Sequence, residues 1–440
     1  MKTRPEVRRS GAWQFPTPAV TEFDNGLTLW SYDLPGQYVV SATVVLPVPL
    51  TAEPVTEEGV ATLAVRALDE GTLAHPGFAY AAELEAIGAQ YSGWVSSAAT
   101  ATQLEVPAQW LPTGLTLFAE ALTSPAFDPA DIDRLIANRL AELTQLQASG
   151  RQLASWLIRS TIVAAGQRAA RPVGGSHATV AALSAPAVRA FHDRHYGPDQ
   201  AILVVAGDLS GYDLPALAET AFGDWRRPVE RLTADLIQPG QPQQRLVNRP
   251  SAVQSDIRLG WFGLDRQDPR FPAFQVAAMA MGGGFSSRLN QVLRETHGWT
   301  YDVSLSNRPF QRGGYVSLAA STQTGHTRDL IDEARRLIRL DDTFTQAEVD
   351  DAIGFLVSAA PLSYATADAV AGQAVSLASH GLDHGLVNDL FRSIAEVTPE
   401  TATEVWRSVI DPDQASLVVL GDGEALAEPL GLTPEPIPVL

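Results

Sequence analysis

The chain repeats one pattern of strand and helix signals twice, and this duplication limits its possible folds more than any other feature. Residues 201–210 (AILVVAGDLS) and 415–424 (ASLVVLGDGE) end the two halves with nearly the same apolar run and turn. Earlier in each half, an apolar strand signal at 39–50 or 256–264 precedes helical runs with apolar residues three and four apart. We therefore predict an α+β protein with two duplicated domains, each a mostly antiparallel sheet with helices packed on one face.

A proline-rich segment separates the two halves. Residues 226–250 contain four prolines among polar residues and show little hydrophobic periodicity, which is typical of a linker. The sequence therefore predicts a first domain at 1–225, a linker at 226–250 and a second domain at 251–440.

Composition narrows the classes of partner. The net charge of −19 argues against nucleic acids and anionic membranes, which both favour basic surfaces. The absence of cysteine excludes disulfides, thiolate nucleophiles and cysteine zinc ligands. The basic N-terminus is not followed by the apolar run of a signal peptide, and no apolar stretch reaches the ~18 residues that a membrane span needs. We expect a cytoplasmic protein that binds neither nucleic acid nor membrane.

Three consecutive glycines, Gly282, Gly283 and Gly284, precede a helical pattern. Arg294 lies in the last turn of the predicted helix, and Tyr301 follows shortly after its end. A glycine-rich loop before a helix can bind phosphate, but this one lacks the P-loop lysine and the G-x-G-x-x-G pattern. A serine cap is expected at the helix start and glycine at its end. Because Tyr301 lies beyond that end, it meets Arg294 only if the chain folds back.

Several segments together resemble the insulinase- and pitrilysin-type peptidases, the family of the mitochondrial processing peptidase. GGGFSSRLNQVLRETHGWTYDVSLS resembles the C-terminal half of that family, and EEGVATLAVRALDEGT resembles its metal-binding helix. Residues 171–209 are similar to the family's long segment before the linker. The resemblance covers nearly the whole chain, and it rests on the order and spacing of the motifs. It implies that the two domains form half of a clamshell chamber.

The chain departs from this family at the zinc site. Active members carry H-x-x-E-H, with two histidine ligands on one helix face and a glutamate that activates water. The matching positions here are Thr62, Val65 and Arg66, which supply neither good ligands nor a base. Glu142 matches the third ligand, and we expect it to be a surface carboxylate or a partner of Arg66. The resemblance therefore implies that this chain holds no metal cofactor.

Other catalytic sites find little support in the sequence. His192 and His195 have the i, i+3 spacing of a metal pair, but no third ligand is evident nearby. Ser286 and Ser287 lack the G-x-S-x-G elbow and an activating base.

Arg294 and Tyr301 match an arginine and a tyrosine that, in this family, face the zinc across the chamber. A phenol O–H can donate to an oxyanion, and a guanidinium can hold a substrate carbonyl. The alternative is a purely structural role, in which the arginine caps the helix end and the tyrosine packs in the core. The resemblance favours the catalytic pair. For Gly282, Gly283 and Gly284, close approach of a peptide and a flexible turn remain equally open.

The resemblance implies a non-catalytic subunit of a heteromeric zinc metalloendopeptidase that cleaves peptides or small proteins. A homologous partner with intact H-x-x-E-H would supply the zinc, and this chain would supply Arg294 and Tyr301. Residues 90–106 would form an edge strand to which a peptide adds. Two alternatives remain: a scaffold protein like the core subunits of respiratory complexes, and a peptide-binding homodimer.

Overall fold

The computed structural model describes residues 13–230, 232–234 and 236–440. The first sheet has the order β1-β2-β6-β3-β5-β4 and the second β12-β7-β11-β8-β10-β9. The first-sheet strands are β1 (Ala19–Glu22), β2 (Thr28–Asp33), β3 (Val39–Leu46), β4 (Gln90–Val95), β5 (Thr100–Pro107) and β6 (Ile202–Gly207). The second-sheet strands are β7 (Gln244–Asn248), β8 (Gln254–Gly263), β9 (Val303–Pro309), β10 (Gly314–Gln323), β11 (Ser416–Gly421) and β12 (Pro434–Glu435).

The internal duplication is confirmed by strand order. Five strands of each sheet, β2-β6-β3-β5-β4 and β7-β11-β8-β10-β9, follow one another in the same way. The pairing also repeats: β2 with β6 and β7 with β11 are parallel, and the three following pairs in each sheet are antiparallel. The protein therefore has the predicted two-domain α+β fold.

Helices connect the strands. Those of the first half are α1 (Val60–Arg66), α2 (Phe78–Ala86), α3 (Leu111–Thr123), α4 (Pro129–Ala148), α5 (Gly150–Ile162), α6 (His177–Ala181), α7 (Ala185–His195) and α8 (Leu214–Phe222). Those of the second half are α9 (Phe271–Ala278), α10 (Thr327–Arg339), α11 (Gln346–Ser358), α12 (Ala360–Ser363), α13 (Ala367–Ser379), α14 (Leu386–Ala395), α15 (Pro399–Val409) and α16 (Gly423–Leu430). Two π-helical segments, Met279–Gly283 and Asn290–Thr296, lie between α9 and β9.

Helices of the same half pack on one face of each sheet, as predicted, and the other face is covered by a helix of the opposite half, because the two halves exchange a helix. One face of the first sheet packs on helices of its own half, including α1, α3 and α7. Its other face is covered by α13, whose Val370 and Ala374 share a core with Val45 and Val204. In return α5 covers the second sheet, where Leu157 packs in the same core as Val247. Each half therefore buries apolar surface that the other half would leave exposed.

The predicted linker is partly structured. Residues 244–248, assigned to the linker, form strand β7 of the second sheet. Earlier linker residues lie beside the C-terminal end of α5. The Gly240 N–H donates to Ile162 O at 2.6 Å, and the Ala164 N–H donates to Gln238 O at 2.9 Å. The linker is thus shorter than predicted, and it is hydrogen-bonded to the exchanged helix.

No single helix in the described part of the chain is long and apolar enough to cross a membrane. Two helical segments, Gln346–Ser363 and Ala367–Ser379, meet the criteria of length and composition only as a pair, and the chain bends by 116° between them.

Candidate functional site

Helix α1, which carries the degenerate zinc positions, is anchored by a buried ion pair. Gly59 precedes it with φ +106°, a left-handed conformation that glycine adopts readily. Glu53 Oε1 accepts hydrogen bonds from the Gly59 and Ala61 N–H groups, both at 3.0 Å. The second carboxylate oxygen lies 2.6 Å from Arg168 Nη2. Burial raises the pKa of Glu53 although Arg168 opposes this shift. The network holds the start of α1 in one position.

The residues at the zinc positions do not fit a zinc ion. Thr62 Oγ1 is buried and has no hydrogen-bond partner among the described residues. Val65 is buried against β4, where an added Cβ on Gly93 would lie 2.6 Å from Val65 Cγ2. Arg66 extends its guanidinium towards α4. None of these three side chains belongs to the residue types that bind zinc in proteins, and none can act as the base that takes a proton from water.

Glu142 is held by two arginines. Its Oε1 accepts a hydrogen bond from Arg66 Nη1 at 2.7 Å, and its Oε2 accepts one from Arg139 Nη1 at 2.9 Å. Burial alone would raise the pKa of Glu142, but these two hydrogen bonds outweigh it and the pKa is lowered. Of the two alternatives considered for Glu142, the structure shows the ion pair with Arg66. Among all described residues, no three His, Asp or Glu side chains are grouped as a metal site.

The histidine pair on α7 is part of the core. His192 Nε2 lies 2.9 Å from Leu122 O, and its Nδ1 lies 3.0 Å from Arg227 Nη1. His195 packs its ring 4.8 Å from that of Phe191. Burial lowers the pKa of both imidazoles, so both favour the neutral form. The two side chains are structural.

One histidine pattern was overlooked in the sequence. Residues 380–384, HGLDH, have the histidine spacing of the zinc motif with aspartate in place of glutamate. The segment follows α13 as a turn, so its histidines do not share a helix face. His380 Nδ1 lies 2.7 Å from Ser376 O, and the His384 ring meets Trp30 edge-on at 5.9 Å. This geometry is that of a helix end.

Arg294 and Tyr301 are brought together by the turn that ends the second π-helical segment. Gly298 has φ +65°, and its N–H donates to Arg294 O at 3.0 Å. The chain then reverses, and Arg294 Cζ lies 5.3 Å from the centroid of the Tyr301 ring. Tyr301 is 86% exposed, so the alternative of a tyrosine packed in the core is wrong. The pair presents a guanidinium and a phenol on the surface.

Phe285, which the sequence analysis did not single out, completes this cluster. Arg294 Cζ lies 4.2 Å from the centroid of the Phe285 ring, so the guanidinium contacts both Phe285 and Tyr301. Cation–π contacts of this kind restrict an otherwise flexible side chain. Phe285 is 68% exposed, and an apolar residue directly after a glycine run was the signal available in the sequence.

The three glycines do not form a loop. Gly282 and Gly283 lie in the π-helical segment Met279–Gly283 that continues α9, and Gly284 is extended with φ −116°. Gly283 and Gly284 line a cavity of about 550 Å³ together with Phe285 and Phe355. Gly282 is buried away from this cavity. A substrate contact is therefore open to Gly283 and Gly284, whereas Gly282 is required for packing.

Substituting Gly282 by alanine is expected to destabilise the protein by about 1–3 kcal/mol through overpacking. Its Cβ would lie 2.7 Å from Leu289 Cδ1 and 2.8 Å from Leu305 Cβ, and the second of these atoms cannot move without the backbone. Gly283→Ala is the matched control, because the nearest atom to its Cβ would be Sδ of the flexible Met279 at 3.0 Å, and the nearest backbone atom, Ala278 O, would be at 3.4 Å. Urea denaturation of both variants measures the difference. Equal stability of the two would contradict the packing assignment.

Asp69, in the turn after α1, should make stability depend on pH. Burial, followed by the charge of Glu70, raises the pKa of Asp69 to about 6. The folded state therefore binds this proton more tightly than the unfolded state, and the stabilisation is lost as the pH rises from about 4 to 6. Asp69→Asn is expected to stabilise the protein by about 3 kcal/mol at pH 7.5 and by much less near pH 4. Denaturation at both pH values tests this; a gain that does not change with pH would refute it.

Comparison with known proteins gives the family. The model of the insulinase family, peptidase family M16, matches residues 31–173, and that of the peptidase M16 inactive domain matches residues 182–356. An uncharacterized zinc protease of Streptomyces coelicolor is 26% identical over 365 residues, covering 80% of this chain and 78% of the relative.

Solved structures share the fold. A peptidase M16 inactive domain from Pseudomonas fluorescens has a TM-score of 0.85 at 21% identity, covering 95% of this chain and 100% of the other. A chain of complex III2 from Candida albicans has a TM-score of 0.77 at 15% identity, covering 94% and 97%. The two family models together match more than half of the residues. The chain belongs to the peptidase M16 (insulinase) family, although its sequence contains no H-x-x-E-H.

Proposed function

We propose that this chain is the non-catalytic subunit of a heteromeric zinc metalloendopeptidase. The observation that carries the proposal is the pair of Arg294 and the exposed Tyr301, with Arg294 Cζ 5.3 Å from the centroid of the tyrosine ring. The pair stands in a chain that has no histidine or glutamate at its own zinc-motif positions. A homologous partner with H-x-x-E-H would supply zinc, water and general base. This chain would supply the pair and half of the chamber wall. A cytoplasmic location remains a prediction.

The chemistry of the pair suits the stabilisation of charge on a peptide carbonyl. The phenol of Tyr301 would donate a hydrogen bond to the oxyanion, and Arg294 would hold a neighbouring carbonyl or orient the phenol. Hydrogen-bond donors stabilise a developing oxyanion best when their side chains already have the required position before the reaction. The contact of Arg294 with Phe285 supports this requirement, because it restricts the guanidinium before substrate arrives.

A peptide could also bind at the edge of the first sheet. Of the predicted edge segment 90–106, only β4 lies at the edge, because β5 is paired on both sides. Side chains on β4 alternate between exposed and half-buried, and its outer backbone faces no other strand of the described chain. An extended peptide would add to β4 through main-chain hydrogen bonds. The use of this edge by the non-catalytic subunit is part of the proposal.

A scaffold without a role in hydrolysis is the second candidate. Its support is the ion pair of Arg66 and Glu142 at the former metal site, together with the fold shared with a chain of complex III2. The two functions differ in what they require of Tyr301. A scaffold gains nothing from an exposed phenol beside an arginine, whereas a catalytic complex does.

Reconstitution with an H-x-x-E-H partner tests the proposal. The purified chain alone is expected to bind no stoichiometric zinc and to hydrolyse no peptide. When it is coexpressed with a homologous H-x-x-E-H chain, for example one encoded next to it, zinc should appear in the complex and hydrolysis should depend on both chains. The control is the same partner with its motif glutamate replaced by glutamine. One tightly bound zinc in the chain alone, or full activity of the partner alone, would overturn the proposal.

A further inference from the structure

A crevice lies where α13 leaves the second half to cover the first sheet. Its volume is about 560 Å³, within the range of pockets that bind small ligands. The start of α9 and residues of α14 form one side, and Gln373 and Leu377 of α13 form another. Tyr364, which also lines it, stacks on Trp13 with ring centroids 5.6 Å apart. The crevice is separate from Arg294 and Tyr301, neither of which lines it.

Arg266 brings an uncompensated positive charge to this crevice. The residue is half-buried, and its guanidinium makes no hydrogen bond or ion pair with any described residue. Two acidic residues also line the crevice, but Asp268 is bound by Arg270 at 2.8 Å and Asp389 is bound by Arg392. Burial lowers the pKa of Arg266, which reflects the cost of keeping the charge there without a partner.

Another buried arginine of this chain has a counter-ion. The guanidinium of Arg168 forms an ion pair with the carboxylate of Glu53. The guanidinium of Arg266 has no such counter-ion among the described residues. Because a guanidinium that is partly removed from water without a counter-ion costs free energy, a bound anion would stabilise Arg266.

Polar and apolar groups around Arg266 narrow the class of ligand. The Tyr364 O–H donates to Gln373 Oε1 at 3.2 Å, which leaves the Gln373 amide N–H₂ group available as a further donor. The remaining wall includes the apolar side chains of Phe271, Leu386 and Phe391. We infer that this crevice binds a carboxylate joined to an apolar body, with Arg266 as its counter-ion. A peptide ending in a free apolar residue and an aliphatic acid share this chemistry.

Matched ligands test the inference on the unmodified protein. N-acetyl-leucine and N-acetyl-leucinamide have the same apolar body and differ in the carboxylate. Isothermal titration calorimetry is expected to show at least tenfold tighter binding of the acid, since a charge-assisted contact is lost in the amide, on the order of 1.4 kcal/mol. Equal affinity for the two, or no binding of either at millimolar concentration, would overturn the inference.

Further ligand pairs show whether the carboxylate belongs to a peptide C-terminus or to an aliphatic acid. A short peptide with a free C-terminal leucine is compared with its amidated form, and octanoate with octanol. Binding of the free peptide, of octanoate or of both supports the site and names its ligand, whereas binding of the neutral forms with equal affinity counts against it.

Arg266→Gln should abolish the preference for acids. Arg336→Gln, on an exposed arginine that is paired with Glu333 and does not line the crevice, should leave it unchanged. Retention of the preference in Arg266→Gln, with a normal melting temperature, would exclude Arg266 as the counter-ion. None of these measurements depends on zinc or on a partner subunit, so their failure would leave the proposed peptidase function untouched.

Discussion

Tyr301→Phe is expected to lower the turnover of the reconstituted complex by about 10²–10³-fold, the usual loss when one oxyanion donor is removed. Only a hydroxyl disappears, so assembly and the zinc content of the partner should not change. Tyr38→Phe is the control, because Tyr38 is also exposed, at 74%, and lies outside the cluster. Steady-state kinetics with the partner present measure kcat and KM for each variant.

Arg294→Ala should reduce turnover, substrate binding or both, since the substitution removes a charged donor and its stacking on Phe285. A rise in KM at unchanged kcat would indicate that Arg294 binds substrate and transition state equally. Full activity of the Tyr301→Phe, Arg294→Ala double variant in a normally assembled complex would favour the scaffold function instead.

Arg168→Met is expected to destabilise the isolated chain by about 3–5 kcal/mol, because it leaves the buried carboxylate of Glu53 without its cation. The two side chains are only 5% and 0% exposed, and Glu53 also accepts the N–H groups at the start of α1. Glu53→Gln combined with Arg168→Met should recover part of the loss, since the amide oxygen can still accept those hydrogen bonds. Urea denaturation at neutral pH measures the effect.

The control for this prediction is the exposed ion pair that Arg66 of α1 forms with Glu142. Arg66 and Glu142 are 36% and 41% exposed, so Arg66→Met should cost less than about 1 kcal/mol. Both variants replace the arginine of an Arg–Glu pair by methionine. The pairs differ in burial, and Glu142 also keeps a second cation, Arg139. If both arginine variants lost the same small amount, the buried network would not be what anchors α1.

Some predictions succeeded because they depended on residue identity and spacing. The repeated apolar runs at 201–210 and 415–424 became β6 and β11, the corresponding strands of the two sheets. Gly298 ended its helix with a positive φ, as a glycine at that place is expected to do. The three glycines were expected to form a loop or turn, but Gly282 and Gly283 lie in a π-helical segment. Sequence alone does not distinguish an open loop from a tightly packed helix end.

The sequence by itself determined the fold class, the duplication and the absence of H-x-x-E-H, with a valine, which cannot act as a base in any fold, at the glutamate position. The tertiary structure decided which surfaces meet. An amphipathic helix shows that one face is buried but not what covers it, so the exchange of α5 and α13 could not be read from periodicity. Glu53 and Arg168 are 115 positions apart, and Phe285 reaches Arg294 only through the turn of the chain. Such contacts depend on the packing of distant segments, which local sequence patterns do not encode.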